Sequence, residues 1–143
     1  PEDARAVLAH LRQPQVAARL GIDTARIVLA GHSMGGWVTA MVASDDPALA
    51  GAILISAANM GLIGKLPRDR VVAQSAGNAE ALAGTSPAIM ADELIARTAD
   101  FDLVPRARGL ARQPLLVLTS DDGLKPLTDP VVAAARAAGG QVA

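Results

Sequence analysis

Gly31-His32-Ser33-Met34-Gly35-Gly36 has the residue types and the glycine-x-serine-x-glycine spacing of a serine nucleophile carried on a sharp turn. A serine hydroxyl is a weak nucleophile at its ordinary pKa. Acyl transfer from Ser33 therefore needs a base to take its proton and donors to hold the oxyanion. Ahead of the motif, Ile27-Val28-Leu29-Ala30 is continuously apolar, which predicts a strand buried on both faces of a parallel sheet, with helices on both sides. Behind it, Trp37 to Ser44 predicts an apolar helix. Ser33 then stands at a helix N-terminus, where free N–H groups and the helix dipole favour negative charge, and the Met34 N–H is the expected oxyanion donor. Such a turn implies a positive φ at Ser33. Gly31 and Gly35 are expected to leave out Cβ atoms where strand and helix approach each other.

The chain holds two histidines. His32 adjoins Ser33 on an extended segment, so their side chains point to opposite sides and His32 is a poor base for that hydroxyl. It reads as structural, hydrogen-bonded to backbone beneath the turn. His10 lies on an opening amphipathic helix, Glu2 to Arg12, and reads as solvated.

Around the motif the chain alternates strand and helix. Pro14 to Leu20 is a short helix ended by Gly21. Gly51 to Ser56 and Pro114 to Thr119 are two more buried strands. Thr128-Asp129-Pro130 is a capped start for a helix over Val131 to Ala138, closed by Gly139-Gly140. This is the order of a right-handed parallel α/β array. Residues 59–112 are too many for a plain crossover and hold two helical patterns, Val71 to Leu82 and Pro87 to Ala99, the second capped by Ser86. The expected organisation is a core of residues 1–58 and 113–143 with a helical crossover and lid over about 59–112.

Composition narrows the function classes. With 143 residues, 51% hydrophobic and 19% charged, the chain suits a soluble globular domain. A net charge of −1 with interleaved signs gives no surface for nucleic acid. No apolar run is long enough to span a membrane. There is no cysteine, no histidine pair at ligand spacing and no nucleotide-binding glycine pattern, so neither a metal nor a cofactor is expected. Lys65, Arg68, Arg70, Arg97, Arg106, Arg108 and Arg112 share no regular spacing and read as a solvated face. Trp37 reads as core. Asn59 and Met60, just past a strand end, are candidate pocket-wall residues. The compartment is open, and the opening Pro1 implies that the natural N-terminus lies upstream.

Gly31-His32-Ser33-Met34-Gly35-Gly36 resembles the nucleophile elbow of the α/β-hydrolase superfamily, as in its esterases, lipases and prolyl-oligopeptidase-like members. The likeness extends along most of the chain. The strands at Ile27, Gly51 and Leu115 resemble the family's fifth, sixth and seventh, with a lid between the last two. By that resemblance the chain is a C-terminal-half fragment, with four strands before Pro1 and an eighth beginning near Gln141. The family pattern at the end of the seventh strand fits Thr119-Ser120-Asp121-Asp122-Gly123-Leu124-Lys125-Pro126, although Thr119 and Gly123 depart from its glycine and proline. It puts the catalytic acid at Asp122, with Asp121 one residue away as the alternative and a solvated acidic turn as the other reading. The third member, a histidine after the acid, is missing, as is the second oxyanion donor that the family carries after its third strand. The resemblance implies cleavage of a small-molecule or peptide ester, thioester or amide through an acyl-enzyme on Ser33, with little turnover by this chain alone. An acyltransferase or a noncatalytic binding protein of the same fold stays open.

Overall fold

Three leucine-, isoleucine- and valine-bearing runs form parallel strands β1 (Val28–His32), β2 (Gly51–Ile55) and β3 (Leu115–Leu118), in the spatial order β1-β2-β3. The computed structural model describes residues 1–79 and 82–143. Residues 141–143 run alongside β3. Leu115 and Val142 form a parallel bridge, and the Ala143 N–H donates to the Leu115 carbonyl at 3.0 Å. This is where the family resemblance puts the start of a further strand.

The register divides the sheet into two unlike faces. Leu29, Gly31, Ala52, Leu54, Leu115 and Val117 share one face, on which Ala52, Leu54 and Leu115 are buried. Helix α3 (Met34–Asp45) packs against β1 and β2, with Ala40, Val42 and Ala43 nearly inaccessible. The other face carries Ala30 and His32 of β1, Ile53 and Ile55 of β2, and Leu116 and Leu118 of β3, continued by Val28. Val28 is 49% and Leu118 47% exposed. The expected burial of β1 on both sides is therefore corrected: its residues alternate between exposed and half-buried. A continuous apolar run marks a strand made to be covered on both faces, but among the described residues helices cover only one.

On the covered side, α1 (Glu2–Leu11) and α2 (Pro14–Leu20) precede β1, and α1 buries Leu8. Between β2 and β3 lie α4 (Met60–Ile63), α5 (Arg68–Ala79), α6 (Pro87–Ala96), α7 (Thr98–Phe101) and α8 (Ala107–Leu110). The expected extension of α5 to Leu82 crosses Glu80 and Ala81, outside the described residues. Ser86 caps α6 by accepting the Ile89 N–H at 3.2 Å. α6 stops short of the expected Ala99 because the Thr98 hydroxyl donates to the Leu94 and Ile95 carbonyls, at 3.0 and 2.9 Å, competing with the backbone ladder. Arg68 on α5 grips Asp92 on α6 through two bonds of 2.7 and 3.0 Å.

The C-terminal carbonyls of α3 are satisfied from the chain just before β3. Gln113 Nε2 donates to the Ala43 carbonyl at 2.9 Å and Arg112 to that of Ser44 at 2.6 Å. The last helix, α9 (Lys125–Ala137), begins earlier than expected. Pro126 occupies its first turn and Pro130 lies inside it, while Thr128 is buried and donates to the Ala57 carbonyl at 2.7 Å. Thr128 thus ties α9 to the end of β2 and is not its cap. A Lys125–Asp129 pair at 2.7 Å reinforces the added turn.

Candidate active site

The turn between β1 and α3 holds Ser33 at φ 53°, ψ −116°, the positive φ that a sharp strand-to-helix reversal requires. Both neighbours brace it. The Ser33 N–H donates to the Ile55 carbonyl at 2.9 Å, and the Ser33 carbonyl accepts from Ala58 at 3.0 Å and from Trp37 at 3.2 Å. Met34 is the first residue of α3, and its N–H has no acceptor among the described residues.

The glycines divide their work differently from the sequence reading. A Cβ on Gly31 would stand 2.1 Å from the Gly35 carbonyl oxygen and 2.6 Å from the Thr39 hydroxyl, so strand and helix do meet there. A Cβ on Gly35 would meet nothing within 4 Å. The second close approach belongs to Gly36, where a Cβ would lie 2.7 Å from that of Ala57. The expected role of Gly35 is thereby corrected: its carbonyl, not its missing side chain, is what packs against the strand.

Asp122 follows β3, and it lines the same cavity of about 290 Å³ as Ser33, together with Met34, Ala58 and Met60. Asp121 does not line it. The Asp122 carboxylate accepts the Leu124 N–H at 3.0 Å and the Ser120 hydroxyl at 2.7 Å, and Ser120 pairs with the Ser56 hydroxyl at 3.1 Å. The Ser56 hydroxyl, joined to the carboxylate through Ser120, does most to lower its pKa to about 2, followed by the Leu124 N–H and then Ser120. Ser56 is itself buried and has a positive φ of 42°. Neither Ser56 nor Ser120 stands out in the sequence. Their one signal is that each follows the C-terminal end of a parallel strand, where ligands gather in such sheets.

Other expected site residues are dispersed. Asn59 is fully buried and is not a pocket wall: its Nδ2 donates to Asp102 at 3.1 Å and its Oδ1 accepts the Leu103 N–H at 3.2 Å. Burial opposes ionisation of Asp102, but the Val104 N–H, Lys65 and Asn59 outweigh it and lower its pKa. Met60 does line the cavity. Trp37 is core, with its indole N–H on the Phe101 carbonyl at 2.9 Å and the two rings edge to face at 5.0 Å. His32 is exposed on the uncovered sheet face and has no hydrogen bond among the described residues, which corrects its reading as a bonded structural residue. The strand's alternation sends it to the side that no helix covers. His10 is exposed on α1, and neither histidine lines the cavity of Ser33.

The chain matches the profile of the alpha/beta hydrolase family over residues 1–142. It belongs to that family. No curated protein matches it. For an alpha/beta hydrolase the three parallel strands and their covering helices are the expected arrangement. Among the described residues of this alpha/beta hydrolase, no helix is long and apolar enough to cross a membrane. Nor do three or more histidines, cysteines or acids gather there as a metal site.

Proposed function

We propose that this alpha/beta hydrolase cleaves a carboxylic ester, thioester or amide through an acyl-enzyme on Ser33. The observation that carries the reading is that Ser33, at positive φ on the N-terminus of α3, and the ionised Asp122 line one cavity. Ser33 Oγ attacks the acyl carbon while a histidine takes its proton. The oxyanion forms against the Met34 N–H. The leaving group departs with the proton from the histidine, and water then releases the acid by the same route in reverse. Asp122 accepts the histidine's Nδ1–H, fixing its tautomer and stabilising the imidazolium. The residues of α4 to α8 serve as the lid over this site.

Neither His10 nor His32 lines the cavity, so the histidine is proposed to come from outside these 143 residues, in the complete form of the protein. The bare apolar sheet face supports this, because a parallel sheet is ordinarily covered on both sides. The lack of a histidine on the Ser33 cavity favours one other reading, a noncatalytic relative that keeps the turn as scaffold. A fluorophosphonate probe on the full-length protein carrying these residues separates the two. Modification at Ser33, lost in Ser33→Ala, is expected of the hydrolase; a folded protein with no label is the scaffold.

A further inference from the structure

All four methionines of the chain line one cavity of about 600 Å³, together with its single tryptophan and its single phenylalanine. Four residues, Met34, Met60, Met90 and Leu94, also line the smaller cavity that holds Ser33 and Asp122. They form a wall with the candidate nucleophile on one side and the larger cavity on the other. The floor beyond the wall is fixed, because Trp37 is pinned by its indole N–H to the Phe101 carbonyl at 2.9 Å and braced edge to face by the Phe101 ring. The wall is not. A methionine side chain has three rotatable bonds and a polarizable thioether, so it fills a gap when the gap is empty and moves aside when a ligand enters. The rest of the core is built of leucine, isoleucine, valine and alanine, whose shapes adapt less.

The cations around the larger cavity are already partnered. Arg97 reaches Glu93 at 3.5 Å and Asp100 at 3.6 Å, with its guanidinium carbon 4.5 Å above the Phe101 ring. Arg5 and Arg106 both bond Asp45, at 2.8 and 3.3 Å. The acids on the cavity lining, Glu2, Glu93 and Asp100, are partners of Arg5 and Arg97, so the charges offset one another and the methionines, Leu94, Trp37 and Phe101 form an apolar end suited to a neutral, apolar group. The cavity volume falls within the roughly 300–1,000 Å³ range of small-ligand sites.

We infer that the larger cavity binds an unbranched aliphatic chain that reaches it from the Ser33 side through the methionine wall, so that the acyl group of the substrate is a straight hydrocarbon chain. A slender chain passes between displaced thioethers; a bulky ring does not. The assignment of this chain as the acyl part rests on the reading of Ser33 as nucleophile, whereas the cavity and its occupant do not.

The test uses 1-decanol as a neutral straight-chain probe and the chain labelled with 13C in its methionine methyl groups, each signal assigned by a Met→Leu variant. Saturable shifts of all four signals are expected, including that of Met41, which lines only the larger cavity, and Ser33→Ala should bind equally well. Met41→Trp and Met90→Trp, checked for folding by circular dichroism, should each weaken binding at least tenfold, and 1-adamantanol should bind at least tenfold more weakly than decanol. A Met41 signal that stays still at saturating decanol overturns the inference, since the alcohol then sits on the bare sheet face. Two folded tryptophan variants that bind like the parent, or equal affinity for adamantanol, overturn it as well. Decanol binding without fluorophosphonate labelling of the full-length protein removes the nucleophile and leaves the cavity; labelling without decanol binding removes only the cavity's ligand.

Discussion

The Ser120 hydroxyl donates a 2.7 Å hydrogen bond to the carboxylate of Asp122, and through Ser120 the end of β3 is joined to Ser56 at the end of β2. The carboxylate is thus held ionised at the rim of the sheet. A carboxyl with a lowered pKa stabilises the folded state fully above its ordinary value near 3.8 and loses that contribution as pH falls through about 2. A carbon-detected NMR titration should therefore place Asp122 near 2. In Ser56→Ala the midpoint should rise toward the ordinary value, and an unchanged midpoint would show that Ser56 does not hold the charge.

The strand-to-helix turn predicts opposite outcomes for two glycines four residues apart. Gly31→Ala drives a methyl into the Gly35 carbonyl and should cost about 1–3 kcal/mol or more. Gly35→Ala points into open space on a helix and should be neutral or stabilising by up to about 1 kcal/mol. Urea denaturation midpoints of the two variants decide it; equal losses would refute the assignment of the close contact to Gly31.

Asn59 is bonded on both sides of its amide and is inaccessible to solvent. Asn59→Ala leaves the buried Leu103 N–H without its acceptor and should lower stability by about 1–3 kcal/mol in chemical denaturation. Decanol binding by the folded fraction should not change, because Asn59 lines neither methionine-walled cavity.

The uncovered sheet face is a liability for the chain on its own. Val28 lies half exposed on edge strand β1, so Val28→Lys should change stability by less than about 0.5 kcal/mol while reducing light scattering on standing at high concentration. A large loss of stability would mean that Val28 is covered in solution.

With no histidine in the cavity of Ser33, hydrolysis of a p-nitrophenyl ester by the 143-residue chain should match that of its Ser33→Ala variant. Robust turnover that depends on Ser33 would mean that the base lies within these residues.

What the sequence by itself determined is local. The apolar strand, the glycine-serine turn and the apolar helix behind it are set by neighbours within a few residues of Ser33, and the strands at Gly51 and Leu115 by their own apolar runs, because strand periodicity and turn sterics act at that range. The tertiary structure decided what depends on distant partners. Ser56 meets Ser120 across 64 residues and Asn59 meets Asp102 across 43, so no local pattern could distinguish a charge-holding serine or a buried amide from ordinary surface residues. Gly36 faces Ala57, and Asp122 rather than Asp121 shares the cavity of Ser33, because the strands are stacked in this register. The apolar run of β1 recorded that the strand is made for burial. Which of its faces the helices cover is a matter of packing, and only one is covered.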